Sequence, residues 1–377
     1  MTLNGDPRDI YRSIGVTPII NAAGSTTAYG GSKLRPEVQG AMNSASGVMV
    51  NIGELNQAAG RVIAQVTGAE AGFVSSGAAG GLVLQAAAVI AGADPRKMDQ
   101  LPNTEGLRNE IIIHRSHRFP YDQCYRAMGA KFVEIGDGRR CYPWQLEAAF
   151  SDQTAAVAYL FSPFVSRRAI PFPQVCEIAH AHGVPVIVDA ASFIPPRANL
   201  RRFTAEGADQ VVYSGGKAIR GPQGTGLLCG RADLIEAAAA NASPNQFIGR
   251  GLKVAKEEIV GLLHALQIFV DEDESEETGR YRQLCQRVVD ALTEVPGLKI
   301  TMEHDEYDYL IPHAVIHFAP EWRGPSRDRI YEAMIAGDPP IYLHTLGNPD
   351  DLAVDPLNLD ENELEIVIRR LREELLK

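Results

Sequence analysis

The stretch GADQVVYSGGKAIRGPQGTGLLC, residues 207 to 229, decides how this chain is read. Two apolar runs, Gln210–Ser214 and Thr225–Cys229, have the composition of buried strands and flank a turn rich in Gly and Pro. That turn carries a single lysine, Lys217. Open α/β sheets place ligands outside the carboxyl ends of their strands, and the short residues around Lys217 clear space for a small molecule to reach its amine. Ser214 offers a hydroxyl three positions earlier. The plain alternative is a solvated lysine in a turn.

Working outward, VPVIVDAAS (184 to 192) is an apolar strand that ends in Asp189, 28 residues before Lys217. A carboxylate at the end of a buried strand is costly unless it meets a cation or a donor. Asp189 is therefore either a helix N-cap or the partner of a protonated ring nitrogen. Further upstream, VSSGAAGG (74 to 81) is a strand followed by small residues that open an apolar helix. Small residues let the free N–H groups and positive dipole end of a helix approach a phosphate, although they also serve tight helix packing. The segment is neither G-x-G-x-x-G, which tells against a nicotinamide dehydrogenase, nor a P-loop.

The same alternation runs through the middle of the chain. Strands are expected near Gly72–Ser75, Ile111–His114, Lys131–Ile135, Ala155–Phe161 and Val184–Asp189 in addition to the two above, with helices such as Gly77–Ala91 and Pro173–His182 between them. This pattern specifies an α/β fold: a three-layer sandwich with a mainly parallel seven-stranded sheet covered on both faces. After Arg250 come a long helix through Val270, the acidic run Asp271–Glu277 read as solvated helix ends or loop, and a second helix from Arg280 to Val295. Strand-like segments Ala314–Phe318 and Ile341–Leu343 and a final amphipathic helix, Glu361–Leu376, make a small α+β C-terminal domain. The expected division is an N-terminal segment 1–45 joining the small domain, a large domain 46–249, and a linking helix with the small domain over 250–377.

Composition narrows the partners. Thirty-six Lys+Arg against 47 Asp+Glu give a net charge of −11, which offers no general attraction to nucleic acid. The N-terminus MTLNGDPRDIYR lacks the apolar segment of a secretory signal, and the apolar run Ala78–Ala93 is too short for a membrane span. Five scattered cysteines without a C-x-x-C pair point away from a disulfide scaffold or zinc ribbon and toward the cytoplasm.

Phosphate cradle, strand-end aspartate and lysine, in that order on alternating β/α units, suit pyridoxal 5'-phosphate. The chain resembles fold-type-I pyridoxal-phosphate enzymes, in the branch that holds D-glucosaminate-6-phosphate ammonia-lyase and L-seryl-tRNA(Sec) selenium transferase. The resemblance rests on GVTPIINAAGSTTAYGG, LNQAAGRVIAQVTGAEAGFVSSGAA and, most specifically, SGGKAIRGPQGTGLLCGR. It implies that Lys217 forms the Schiff base with the cofactor and acts as general base, and that Asp189 pairs with the pyridine nitrogen. It further implies that Gly77 and Ala78 give backbone N–H groups to the phosphate with the hydroxyls of Ser76 and Ser214, and that His117 stacks on the cofactor face. His117 also has the plainer reading of a core or loop histidine, and the spacing of His114 and His117 is set aside as a metal pair for want of a second ligand pair.

The activity implied is α-proton abstraction and β-elimination, of the ammonia-lyase type, on a small amino acid or amino-sugar acid. The alternatives are aldol cleavage, racemisation, transamination, selenium-transferase-like β-replacement, or a scaffold without catalysis. The acidic charge favours the small-molecule lyase over the tRNA-dependent branch. One departure stands out: the C-terminal stretch 339 to 359 holds His344 where many relatives of this fold carry a carboxylate-binding arginine. Either His344, Arg250 or Arg220 takes that role, or the substrate is not a plain α-amino acid. The resemblance also implies a homodimer or higher homo-oligomer.

Overall fold

The computed structural model describes residues 6–162 and 168–377, so the first five residues of the N-terminal segment lie outside it. The chain forms two compact units, Lys33–Glu272 and a second made of Met1–Ser32 with Asp273–Lys377. Its strands in chain order are β1 (Ile20–Ala22), β2 (Ala71–Ser76), β3 (Glu110–His114), β4 (Lys131–Ile135), β5 (Thr154–Leu160) and β6 (Val186–Asp189). They continue with β7 (Gln210–Ser214), β8 (Thr225–Gly230), β9 (Leu298–Glu303), β10 (His313–Phe318), β11 (Ile341–Leu343) and β12 (Asp351–Val354).

In the larger unit β2 to β8 form one seven-stranded sheet in the order β2-β8-β7-β6-β5-β3-β4. β8 runs antiparallel to both its neighbours, and the remaining pairs are parallel. Every residue of β5 is buried, as expected of a strand covered on both faces. Two separate cores lie on the two faces, one around Val157, Val188 and Phe203, the other around Ile113, Ile187 and Leu228. β6 starts at Val186 rather than Val184, because Pro185 has no N–H to give to the ladder.

The helix Gly77–Ala91 packs on the second face. Its small residues have a direct reason at Gly81, where a β-carbon would stand 2.3 Å from Val212 Cγ2. The backbone of the helix lies against β7, which carries the strand end before Lys217. Among the described residues no helix is long and apolar enough to cross a membrane.

The unit boundaries fall at 32/33 and 272/273, not at 45/46 and 249/250. The helices Pro36–Ser46 and Lys256–Asp271 belong to the larger unit because their apolar faces complete its core: Val38, Ile259, Leu262, Leu266 and Phe269 are buried there. The acidic run falls at two solvated helix ends, as expected. Asp273 accepts from the Ser275 N–H as an N-cap, and Glu274, Glu276 and Glu277 form the first turn of the helix Glu274–Leu292, where the helix dipole favours negative charge. The smaller unit holds an antiparallel sheet, β12-β10-β9, and the parallel pair β1 and β11. β1 and β12 escape a sequence reading because they are too short for an alternation to show, whereas β9, LKITME, alternates apolar and polar residues throughout and carried a signal that could have been read.

Candidate active site

In the larger unit's sheet, Leu160 is paired with Asp189, and Asp189 with Val212. The carboxyl ends of β5, β6 and β7 therefore share one edge, which is where a doubly wound sheet receives ligands. Asp189 shares the pleat face of Ile187, the face on which the helix Gly77–Ala91 packs. A small cavity opens there, lined among others by Leu82, His117, Tyr121, Tyr125, Tyr159 and Asp189.

Asp189 starts no helix. Its Oδ1 accepts the Ala191 N–H at 3.0 Å in a local turn. Burial pushes its carboxyl above the usual range, opposed by that amide and by the charge of Lys217. Lys217 follows β7 in the turn closed by the Arg220 N–H donating to the Lys217 carbonyl at 2.9 Å. Burial pulls its ammonium down and the Asp189 charge pushes it up. A partly buried carboxylate thus lies within electrostatic reach of a partly buried amine that is more readily deprotonated than a surface lysine, the state a nucleophile or base needs.

The phosphate end of the site differs from the expectation at one residue. Gly77, at φ +62°, donates its N–H to the Gly224 carbonyl at 2.8 Å, so it is not available to an anion. The reason is the close approach of β2 and β8, where Gly226 would place a β-carbon 2.6 Å from the Gly77 carbonyl carbon. The helix start has no side-chain cap, which leaves the first-turn N–H of Ala78, and that of Ala79 after it, pointing out of the helix end. Ser76, at the N-cap position, and Ser214, at the end of β7, are both partly exposed.

His117 is 2% exposed in a short turn after β3 and lines the cavity. Its Nδ1 accepts the Leu160 N–H at 3.4 Å, which leaves the ring proton for Nε2. Burial, and then the neighbouring His114, lower its pKa to about 3, so it is a neutral flat ring at physiological pH. The His117 ring meets Tyr159 at 4.5 Å and His114 at 4.8 Å between centroids.

Of the three candidates for a carboxylate receptor, Arg220 and Arg250 belong to the larger unit and Arg250 is exposed. Arg220 holds a left-handed backbone, φ +58°, a conformation a bulky residue adopts only under surrounding constraint, and its charge helps lower the Glu272 pKa. His344 belongs to the smaller unit, its ring 5.0 Å from that of His313, and burial brings its pKa down to about 4. Gln85, Tyr125 and Tyr159 were missed by sequence reasoning. Gln85 had a signal, being the sole hydrogen-bonding side chain in the helix GAAGGLVLQAAAVIA.

The donor set fits pyridoxal phosphate: N–H groups at an uncapped helix end for a phosphate, a buried carboxylate for a protonated ring nitrogen, a flat neutral imidazole for the ring face, and a depressed lysine for an aldehyde. A family model for aminotransferase class-V matches residues 109–315. The chain is 34% identical to a 5'-C-glycyluridine monooxygenase-decarboxylase from Streptomyces sp, over 97% of this chain and 92% of that one. It is 31% identical to a D-glucosaminate-6-phosphate ammonia lyase from Salmonella typhimurium, over 97% of each. A solved structure of D-glucosaminate-6-phosphate ammonia-lyase superposes with a TM-score of 0.86 at 29% identity, covering 99% of both chains.

Proposed function

The chain belongs to the aminotransferase class-V family of pyridoxal-phosphate enzymes, and from that premise we propose that it is a lyase acting by α-proton abstraction and β-elimination on a small amino acid or amino-sugar acid. The observation that carries this reading is the electrostatic coupling of Lys217 with Asp189, which lines the cavity, joined to near full-length similarity with an ammonia lyase.

When bound, pyridoxal phosphate supplies an aldehyde that condenses with amines and a protonated ring that takes up the electron pair left at the α-carbon. Ala78 and Ala79 bind its phosphate through backbone N–H groups, with the hydroxyls of Ser76 and Ser214 beside them. Asp189 keeps the ring nitrogen protonated, and His117 holds the ring plane. Lys217 would hold the aldehyde end of the cofactor and, as a free amine, would take the α-proton at Nζ and return a proton to the departing β-group. Arg220, three residues after the lysine, is the candidate that receives the substrate carboxylate.

The test is a screen of amino acids and amino-sugar acids for ammonia released in step with a 2-oxo product. Lys217→Ala should abolish turnover and the visible absorbance of bound cofactor; a variant keeping both overturns the reading. The 34% relative favours a second outcome from the same residues, loss of the carboxylate with consumption of O2. Oxygen uptake and CO2 release without ammonia would select it.

The reading includes a homodimer in the cytoplasm. The exposed apolar run Val48, Met49 and Val50 supports a partner surface, and the unpaired state of all five cysteines suits a reducing compartment. Light scattering of the purified chain tests the dimer, and a monomeric mass overturns it.

A further inference from the structure

The helix Gly77–Ala91 has one anomaly. Gln85 is fully buried on an otherwise apolar surface, where an apolar side chain of the same size would desolvate nothing. Its two ends are both engaged. Nε2 donates to the carbonyl of Val188, the residue before Asp189, at 3.1 Å. Oε1 accepts the hydroxyl of Tyr125 at 3.1 Å.

Tyr125 lines the same cavity as Asp189, and its ring is held from behind by Phe132 in an edge-on contact at 6.4 Å. Its phenol is kept protonated by burial and, secondarily, by the negative charge of Asp189. The hydroxyl proton is therefore committed to Gln85. One amide thus ties the helix that faces the phosphate, the strand that ends in Asp189, and a cavity wall beside that carboxylate.

We infer that Gln85 and Tyr125 act as one positioning unit that holds Asp189 in register with the pyridine nitrogen of the cofactor. The inference rests on the reading that Asp189 meets that nitrogen. Neither residue touches the reacting atoms; the pair acts through the backbone on one side of Asp189 and through the cavity wall on the other.

The test compares binding of pyridoxal phosphate with that of its analogue carrying carbon in place of the ring nitrogen, each added to the full chain. The parent should bind pyridoxal phosphate at least about tenfold more tightly, because a charge-assisted bond to Asp189 is available to it alone. Tyr125→Phe and Gln85→Met should each bring that ratio to within about threefold of unity, and the double variant should lose no more than either single one. A variant that keeps the parent's ratio overturns the inference, and so does equal weakening of both ligands, which marks a purely structural tie. Should Tyr125→Phe fail to fold, Gln85→Met carries the same comparison, since methionine matches the volume it replaces. A parent that does not discriminate between the ligands overturns the premise about Asp189 itself, an outcome distinct from the others.

Discussion

Asp189 and Lys217, 28 residues apart in the chain, hold each other's charge at one edge of the larger sheet. Burial disfavours the ionised form of each, and each is the other's principal compensating charge. Without its partner's charge, the carboxyl would be pushed further up and the ammonium further down. The pair keeps both forms within reach, which suits a residue that must alternate between covalent attachment and proton transfer.

Replacing Asp189 with Asn keeps its size and an acceptor for the Ala191 N–H but removes the charge. Turnover should fall roughly 100-fold, the order of loss seen when one preorganised electrostatic partner is taken from an active site. The Lys217 ammonium, relieved of its anion, should titrate still lower. A pH titration of the bound cofactor's visible band and steady-state kcat measure the two effects, and an Asn variant with unchanged kcat contradicts the assignment.

Arg220→Gly separates strain from function. Glycine adopts φ +58° without the penalty of about 1 kcal/mol or more that a side chain incurs, which offsets the loss of the Arg220 charge near Glu272, so thermal stability should change little. The KM for a carboxylate-bearing substrate should rise about tenfold or more as the guanidinium is lost. A variant with unchanged KM would return the carboxylate role to Arg250 or His344.

Acid should unfold this protein early. Burial lowers His114 to about 4 and His117 to about 3, against an ordinary 6.5. Because the folded values lie below the unfolded one, the unfolded chain takes up protons first as the pH falls. The stability is fully present above about pH 6.5 and is lost progressively toward pH 4 and below. The limit for His114 alone is about 3 kcal/mol. Denaturant midpoints at pH 7 and pH 5 should differ accordingly, and His114→Gln should flatten the dependence.

Gly81→Ala places a methyl 2.3 Å from Val212 Cγ2 and 3.0 Å from Ser75 Oγ. Overpacking of this kind costs about 1–3 kcal/mol. Because the strained helix is the one whose first turn is proposed to bind the phosphate, cofactor affinity should drop together with the unfolding midpoint. A loss of stability with unchanged affinity would separate the helix from the cofactor.

Most strands of the larger sheet were legible as apolar runs bounded by turn residues, and Lys217 and Asp189 because glycine and apolar neighbours isolate them. By itself the sequence determined the α/β class and singled out a helix start, an aspartate and a lysine at strand ends as the candidate site. All of these depend on local pattern, where side-chain periodicity and turn chemistry act over a few residues. Only the tertiary structure decided that Gly77 gives its N–H to Gly224, that Gln85 and Tyr125 join around Asp189, and that the helices Pro36–Ser46 and Lys256–Asp271 belong to the larger unit. Those depend on which buried donor meets which acceptor and which apolar faces close on each other. Such partners lie far apart in the chain, and no local pattern encodes their approach.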